Sequence, residues 1–166
     1  MTKKIIFFLL IFIISYMLFL DKEKHTNDIE LEEIENVENP LLLTVLNTAL
    51  SYKGTPYKFG GVTKEGMDCS GLVFTSYKEI GVTLARASRN MYYDGEEVAL
   101  KNVQKGDLLF FDIDKFEEKV NHVGMVTSVN DFEVNFIHST TTKGVIITSI
   151  NESYWKKAFI KAKRIL

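Results

Sequence analysis

The apolar positions of this chain change their spacing twice. From Ile5 to Leu20 they run together, broken only by Ser15, between Lys3-Lys4 on one side and Asp21-Lys22-Glu23-Lys24 on the other. After Pro40, the residues Leu42, Val45, Leu46, Ala49 and Leu50 recur at helical spacing, which predicts an amphipathic helix that Gly54 ends. A second helix is predicted from about Cys69, with Leu72, Val73, Ser76, Tyr77 and Ile80 on one face. Asp68 stands at its N-cap and Gly81 at its stop. Beyond residue 106 the period shortens to that of strands. Gly106-Asp107 marks a turn before Leu108–Phe111, a short apolar run suited to a buried strand. Val123, Met125, Thr127 and Val129 then alternate with His122, Gly124, Val126 and Ser128. Asn130-Asp131 offers a turn, and Val134, Phe136 and His138 lie on the next strand. Gly144–Ile150 and Phe159–Leu166 read as two more. Helices followed by antiparallel strands are the order of an α+β domain, here over residues 40–166, with the helices packed on the sheet.

The first apolar run is an address rather than part of the fold. Its 16 residues would span about 24 Å as a helix, against a hydrocarbon core of about 30 Å. Basic residues before it favour a cytoplasmic N-terminus and place the rest of the chain outside the membrane. A cleavable signal wants small residues before its cut, and Tyr16-Met17-Leu18-Phe19-Leu20 supplies none. Residues 1–20 are therefore expected to anchor the protein in the cytoplasmic membrane, with a cleaved signal as the alternative. Residues 21–39 carry eight acidic and two basic side chains and read as a flexible acidic linker. The domain that follows has 16 basic and 14 acidic residues, and the whole chain has a formal charge of −2. That balance makes no case for nucleic acid as a partner. A monomer is expected.

Composition adds one constraint that matters for chemistry. The chain has a single cysteine, Cys69, so an internal disulfide, a CxxC redox pair and a cysteine-rich zinc module are all excluded. In the first turn of a helix a thiol meets unpaired backbone N–H groups and the positive end of the helix dipole, both of which favour the thiolate. A base and an orienting group are also required. His25 falls in the linker, which leaves His122 and His138 in the domain. Spacing alone leaves Cys69 open between a nucleophile and a buried structural thiol that continues the Leu72, Val73 and Tyr77 stripe. Zinc bound by Cys69, His122 and His138 lacks a close ligand pair of the usual spacing. A free thiol in an oxidising compartment is a liability unless it is used, which favours the nucleophile.

Several motifs occur in a fixed order: Gly54-Thr55-Pro56-Tyr57-Lys58-Phe59-Gly60-Gly61, Asp68-Cys69-Ser70-Gly71-Leu72-Val73, Gly106-Asp107-Leu108-Leu109-Phe110-Phe111, His122-Val123-Gly124-Met125-Val126 and Phe136-Ile137-His138-Ser139. Over residues 45–166 the chain resembles the NlpC-type cell-wall peptidases, a papain-like family of bacterial cysteine hydrolases. Its ending, from Gly144 through Tyr154-Trp155 to Arg164-Ile165-Leu166, is similar to the Spr-type murein endopeptidases within that family. The resemblance implies Cys69 as nucleophile, His122 as base and His138 as the group that orients His122. It implies Tyr57 as an oxyanion donor, Asp68 and Ser70 as supporting groups, and Arg86 and Ser88 as substrate contacts. Peptidoglycan is the implied partner, and no metal or organic cofactor is implied. Two features depart from the family pattern. The substrate-contacting stretch, commonly Pro-Arg-Ser/Thr followed by a glutamine, reads Ala85-Arg86-Ala87-Ser88-Arg89-Asn90-Met91 here. The lipid-bearing cysteine usual in the Spr-type relatives is absent, and the apolar run takes its place.

Overall fold

The computed structural model describes residues 39–113, 119–130 and 132–166, together with Tyr16 and Met17. The other residues of the expected anchor and linker lie outside the described residues. No described helix is long and apolar enough to cross a membrane. One compact unit comprises Pro40–Leu166.

Helix α1 (Pro40–Ser51) buries Val45, Leu46 and Ala49. A short hairpin, β1 (Val62–Thr63) and β2 (Gly66–Met67), leads into helix α2 (Cys69–Lys78). The apolar face of α2 is Leu72, Val73 and Tyr77, all fully or nearly fully buried. The helix stops at Lys78 with Glu79 as its C-cap, so Ile80 lies beyond the helix that the spacing had included it in. Next come α3 (Ser88–Met91), β3 (Glu96–Val98) and a 3₁₀ turn at Leu100–Asn102. The remaining elements are β4 (Leu108–Phe111), β5 (His122–Asn130), β6 (Glu133–Thr140), β7 (Gly144–Ser149), α4 (Ser153–Ala158) and β8 (Phe159–Arg164).

Six strands form one antiparallel sheet in the order β3-β8-β4-β5-β6-β7. The all-apolar sequence of β4 is explained by its place between β5 and β8 with both faces covered. Leu108 and Phe110 join the core shared with α1 and α2, whereas Leu109 and Phe111 join the cluster around Trp155 on the other face. Each such buried side chain contributes about 1.5–3 kcal/mol of apolar transfer free energy. The α+β arrangement, with helices leading and an antiparallel sheet following, is the one expected. The hairpin, α3, β3 and α4 have no counterpart in the sequence reading. They are too short to carry a readable period, and pairing with distant segments defines them, as when Glu96↔Arg164 and Val98↔Ala162 join β3 to β8.

Candidate active site

Asp68 caps α2 with extended backbone (φ −95°, ψ 173°), and its Oδ1 accepts the Gly71 N–H at 2.6 Å. The same carboxylate serves four other donors. Gly60 N–H reaches Oδ2 at 2.8 Å, the Ser70 hydroxyl reaches Oδ1 at 3.2 Å, and both terminal nitrogens of Arg86 lie at 2.9 Å. Arg86 also donates to the Gly61 carbonyl at 3.2 Å and to Ser70 Oγ at 3.1 Å. Burial by itself would raise the Asp68 carboxyl. The Arg86 hydrogen bond, the Gly71 N–H, the Arg86 charge and the Gly60 N–H outweigh it and hold the group below its ordinary value. The glycines of the two motifs follow from this crowding. Gly60 takes a positive φ of 73° to aim its N–H at Asp68. A Cβ on Gly71 would drive into the Gly61 carbonyl oxygen.

Cys69 is the first residue of α2 and is half-buried. Two sets of hydrogen bonds fix where the helix begins. Gly54 N–H donates to the Val145 carbonyl and Val145 N–H to the Thr55 carbonyl, both at 2.9 Å, which ties Gly54-Thr55 to the start of β7. The Ser139 hydroxyl donates to the Met67 carbonyl at 2.7 Å, tying β6 to the residues just before the cysteine. Burial pushes the thiol pKa up and the Asp68 charge adds to it, while the N–H groups of Val123, Ser70 and Cys69 itself pull the other way. Burial and the Asp68 charge together favour the neutral thiol. The helix N-terminus acts in the expected direction, but desolvation is the larger effect.

His122 opens β5, and His138 lies inside β6, which continues to Thr140. Continuing the Met125↔Ile137 register sets His138 across from Gly124. A Cβ there would drive into the Phe136 ring and crowd the Cβ of His138, so the glycine lets these two residues of β6 pack against β5. Nε2 of His122 lies 2.8 Å from Nδ1 of His138, and Nε2 of His138 lies 2.9 Å from Oγ1 of Thr148 on β7. Nδ1 of His122 lies outside this line of contacts. Both rings are buried, at 3% and 0% exposure, against Trp155, whose ring centroid is 5.4 Å from His122 and 4.5 Å from His138. Desolvation lowers the pKa of His122 to about 4. The same burial, and then the neighbouring His122, lowers His138 further. Thr148 and Trp155 have no role in the sequence reading. An alternating strand does not show which polar residue faces a given neighbour until the register is known.

Two clefts meet at the cysteine. One, of about 540 Å³, is lined by Phe59, Arg86, Ser88, Arg89 and Val120. The other, of about 250 Å³, is lined by Ile113, His122, the Thr140–Thr142 run, Tyr154 and Trp155. Tyr57, Cys69 and Asn121 line both. Burial raises the Tyr57 phenol, with the nearby Cys69 and Asp68 acting in the same direction, so its hydroxyl keeps its proton and can donate. Tyr57, Asp68, Cys69, Ser70 and His122 are thus brought together, with His138 behind His122. Arg86 and Ser88 line the first cleft, but the Arg86 guanidinium is engaged by Asp68. Arg89, the other cation there, has no carboxylate partner among the described residues.

Residues 54–164, which contain every one of these groups, match the NlpC/P60 family. The chain belongs to that family. It is 37% identical over 123 residues to the murein DD-endopeptidase MepS/murein LD-carboxypeptidase of Escherichia coli (strain K12), covering 74% of this chain and 62% of that protein. It is 33% identical to the gamma-D-glutamyl-L-lysine dipeptidyl-peptidase of Bacillus cereus, covering 79% of this chain and 38% of that one. The crystal structure of an NlpC/P60 family protein from Bacillus cereus superposes with a TM-score of 0.68 at 34% identity, over 78% of this chain and 42% of that one. The chain thus spans about three fifths, or less, of the lengths of these relatives. The NlpC/P60 fold is common to them and this domain.

Proposed function

We propose that this chain is a cysteine endopeptidase that hydrolyses an amide bond in peptidoglycan peptides. One observation carries the reading: Cys69 stands at the junction of two clefts, beside the line formed by His122, His138 and Thr148. A nucleophile with room on either side suits a bond inside a branched or cross-linked peptide. In the reaction the thiol proton passes to Nδ1 of His122 as Sγ attacks the carbonyl carbon. The Tyr57 hydroxyl and the Cys69 backbone N–H hold the oxygen as it gains charge. Collapse of the tetrahedral adduct breaks the C–N bond, and the departing amine takes the proton from His122. Water, deprotonated by His122, then cleaves the thioester and restores the thiol.

The bond is the D-alanine–diaminopimelate cross-link, a reading supported by the Escherichia coli relative named as a murein DD-endopeptidase. A second reading, the γ-D-glutamyl–diaminopimelate bond, has support from the Bacillus cereus relative named for γ-D-glutamyl cleavage. No cofactor takes part. Residues 1–20 hold the enzyme in the cytoplasmic membrane, and the 19 linker residues let the domain reach about 25 Å from it. Mass spectrometry of muropeptides digested by the full chain tests reaction and bond together. The two expected products have masses that together equal the substrate plus one water, and Cys69→Ala yields none while staying folded. Full turnover by Cys69→Ala, or a folded wild type that binds sacculi without cleaving them, overturns the reading.

A further inference from the structure

We propose that Thr148 is a positioning residue for the Cys69–His122 couple: its buried hydroxyl, 2.9 Å from Nε2 of His138, makes available the imidazole tautomer in which His122 can act as a base. The inference rests on the proposed roles of Cys69 and His122.

Along this line of fixed contacts, the proton position on one ring sets the position on the next. To take the thiol proton, His122 must present an unprotonated Nδ1, so its ring proton has to lie on Nε2. That N–H faces Nδ1 of His138 at 2.8 Å. Nδ1 of His138 must then be the acceptor, which puts the His138 proton on Nε2. Nε2–H of His138 in turn faces Oγ1 of Thr148, a hydroxyl that can accept. Both ring N–H donors in this buried line then have an acceptor. Without the hydroxyl, Nε2–H of His138 would be buried with no acceptor, whereas a bare acceptor is tolerated better than a bare donor. The proton would therefore move to Nδ1 of His138 and donate to Nε2 of His122. That arrangement forces the His122 proton onto Nδ1, the atom that must receive the proton of Cys69. Thr148 lines neither cleft. It acts two residues removed from the sulfur.

Thr148→Val keeps the side-chain shape and removes the acceptor, and Thr148→Ser keeps the acceptor. Long-range ¹H–¹⁵N spectra of the ¹⁵N-labelled full chain read the protonated nitrogen of each ring directly. Wild type is expected to carry both protons on Nε2. In Thr148→Val both are expected on Nδ1, with kcat for muropeptide hydrolysis down about 10- to 100-fold at nearly constant KM. Thr148→Ser is expected to restore both readouts. A Thr148→Val enzyme within about twofold of wild type in kcat, or with unchanged tautomers, overturns the proposal. Should that variant fail to fold, wild-type His138 protonated on Nδ1 overturns it by itself. Cys69→Ala run in parallel separates the two ideas. Turnover surviving there refutes the roles of Cys69 and His122, whereas an inactive Cys69→Ala beside a fully active Thr148→Val refutes only the role of Thr148.

Discussion

Burying two imidazoles beside one tryptophan should make the domain unusually sensitive to mild acid. His122 is 3% exposed, and its pKa falls from the ordinary 6.5 to about 4 because burial disfavours the charged ring. Between those values the unfolded chain takes up a proton that the native state refuses. Stability is therefore complete above about pH 6.5, declines as the pH drops, and levels off below about pH 4. At about 1.4 kcal/mol per pH unit, His122 alone accounts for about 3 kcal/mol. Domains of this size are stable by only about 5–15 kcal/mol, so the effect is large. His138 is shifted in the same direction and carries the decline to lower pH. Urea unfolding followed by tryptophan fluorescence is the assay, because Trp155 is the single tryptophan and packs on both rings. The full chain is compared with His122→Gln/His138→Gln at several pH values from about 7.5 to 4. Wild type is expected to lose at least about 3 kcal/mol more than the double variant over that range. His25 and the carboxylates are common to both and cancel. Parallel decline of the two proteins would refute the claim that these rings are held neutral by burial.

Three further outcomes test other parts of the site. Arg86→Met should cost about 1–3 kcal/mol in urea unfolding, because it strips two hydrogen bonds from the Asp68 cap, the figure being reduced for the partial exposure of Arg86. Combined with Asp68→Asn it should be less than additive, and a fully stable Arg86→Met with raised KM would return Arg86 to the substrate. Arg89→Gln should raise KM for carboxylate-bearing muropeptides several-fold, about 1 kcal/mol, with kcat and unfolding midpoint unchanged; a KM equal to wild type would remove Arg89 from the cleft's binding groups. Tyr57→Phe should lower kcat by about 10- to 100-fold if its hydroxyl holds the oxyanion, with iodoacetamide labelling of Cys69 preserved. A kcat like that of wild type would leave the backbone N–H as the sole donor.

Much of the site was legible because it is local. Asp68 as a cap, Cys69 in the first helical turn and the alternation from Val123 to Val129 all depend on residues within a few positions of one another. Those preferences survive in the folded chain unchanged. The period also separated helices from strands correctly, since a face buried against one layer repeats along its own element. Contacts between segments could not be read that way. Arg86 meets Asp68 across 18 residues of chain and the whole of helix α2. The family resemblance implied a substrate contact for it, and only the fold revealed its hold on the cap. The line from His122 through His138 to Thr148 exists because β5, β6 and β7 pair in one register. A slip of one residue would turn each ring to the opposite face. The resting state of the thiol is decided the same way. A helix N-terminus can be recognised from sequence, but the desolvation that overrides it sums over every segment packed around Cys69. By itself the sequence determined which groups are present and what their neighbours along the chain ask of them. The tertiary structure decided which of them meet and which charges water can no longer support, because register and burial are properties of the whole packed domain.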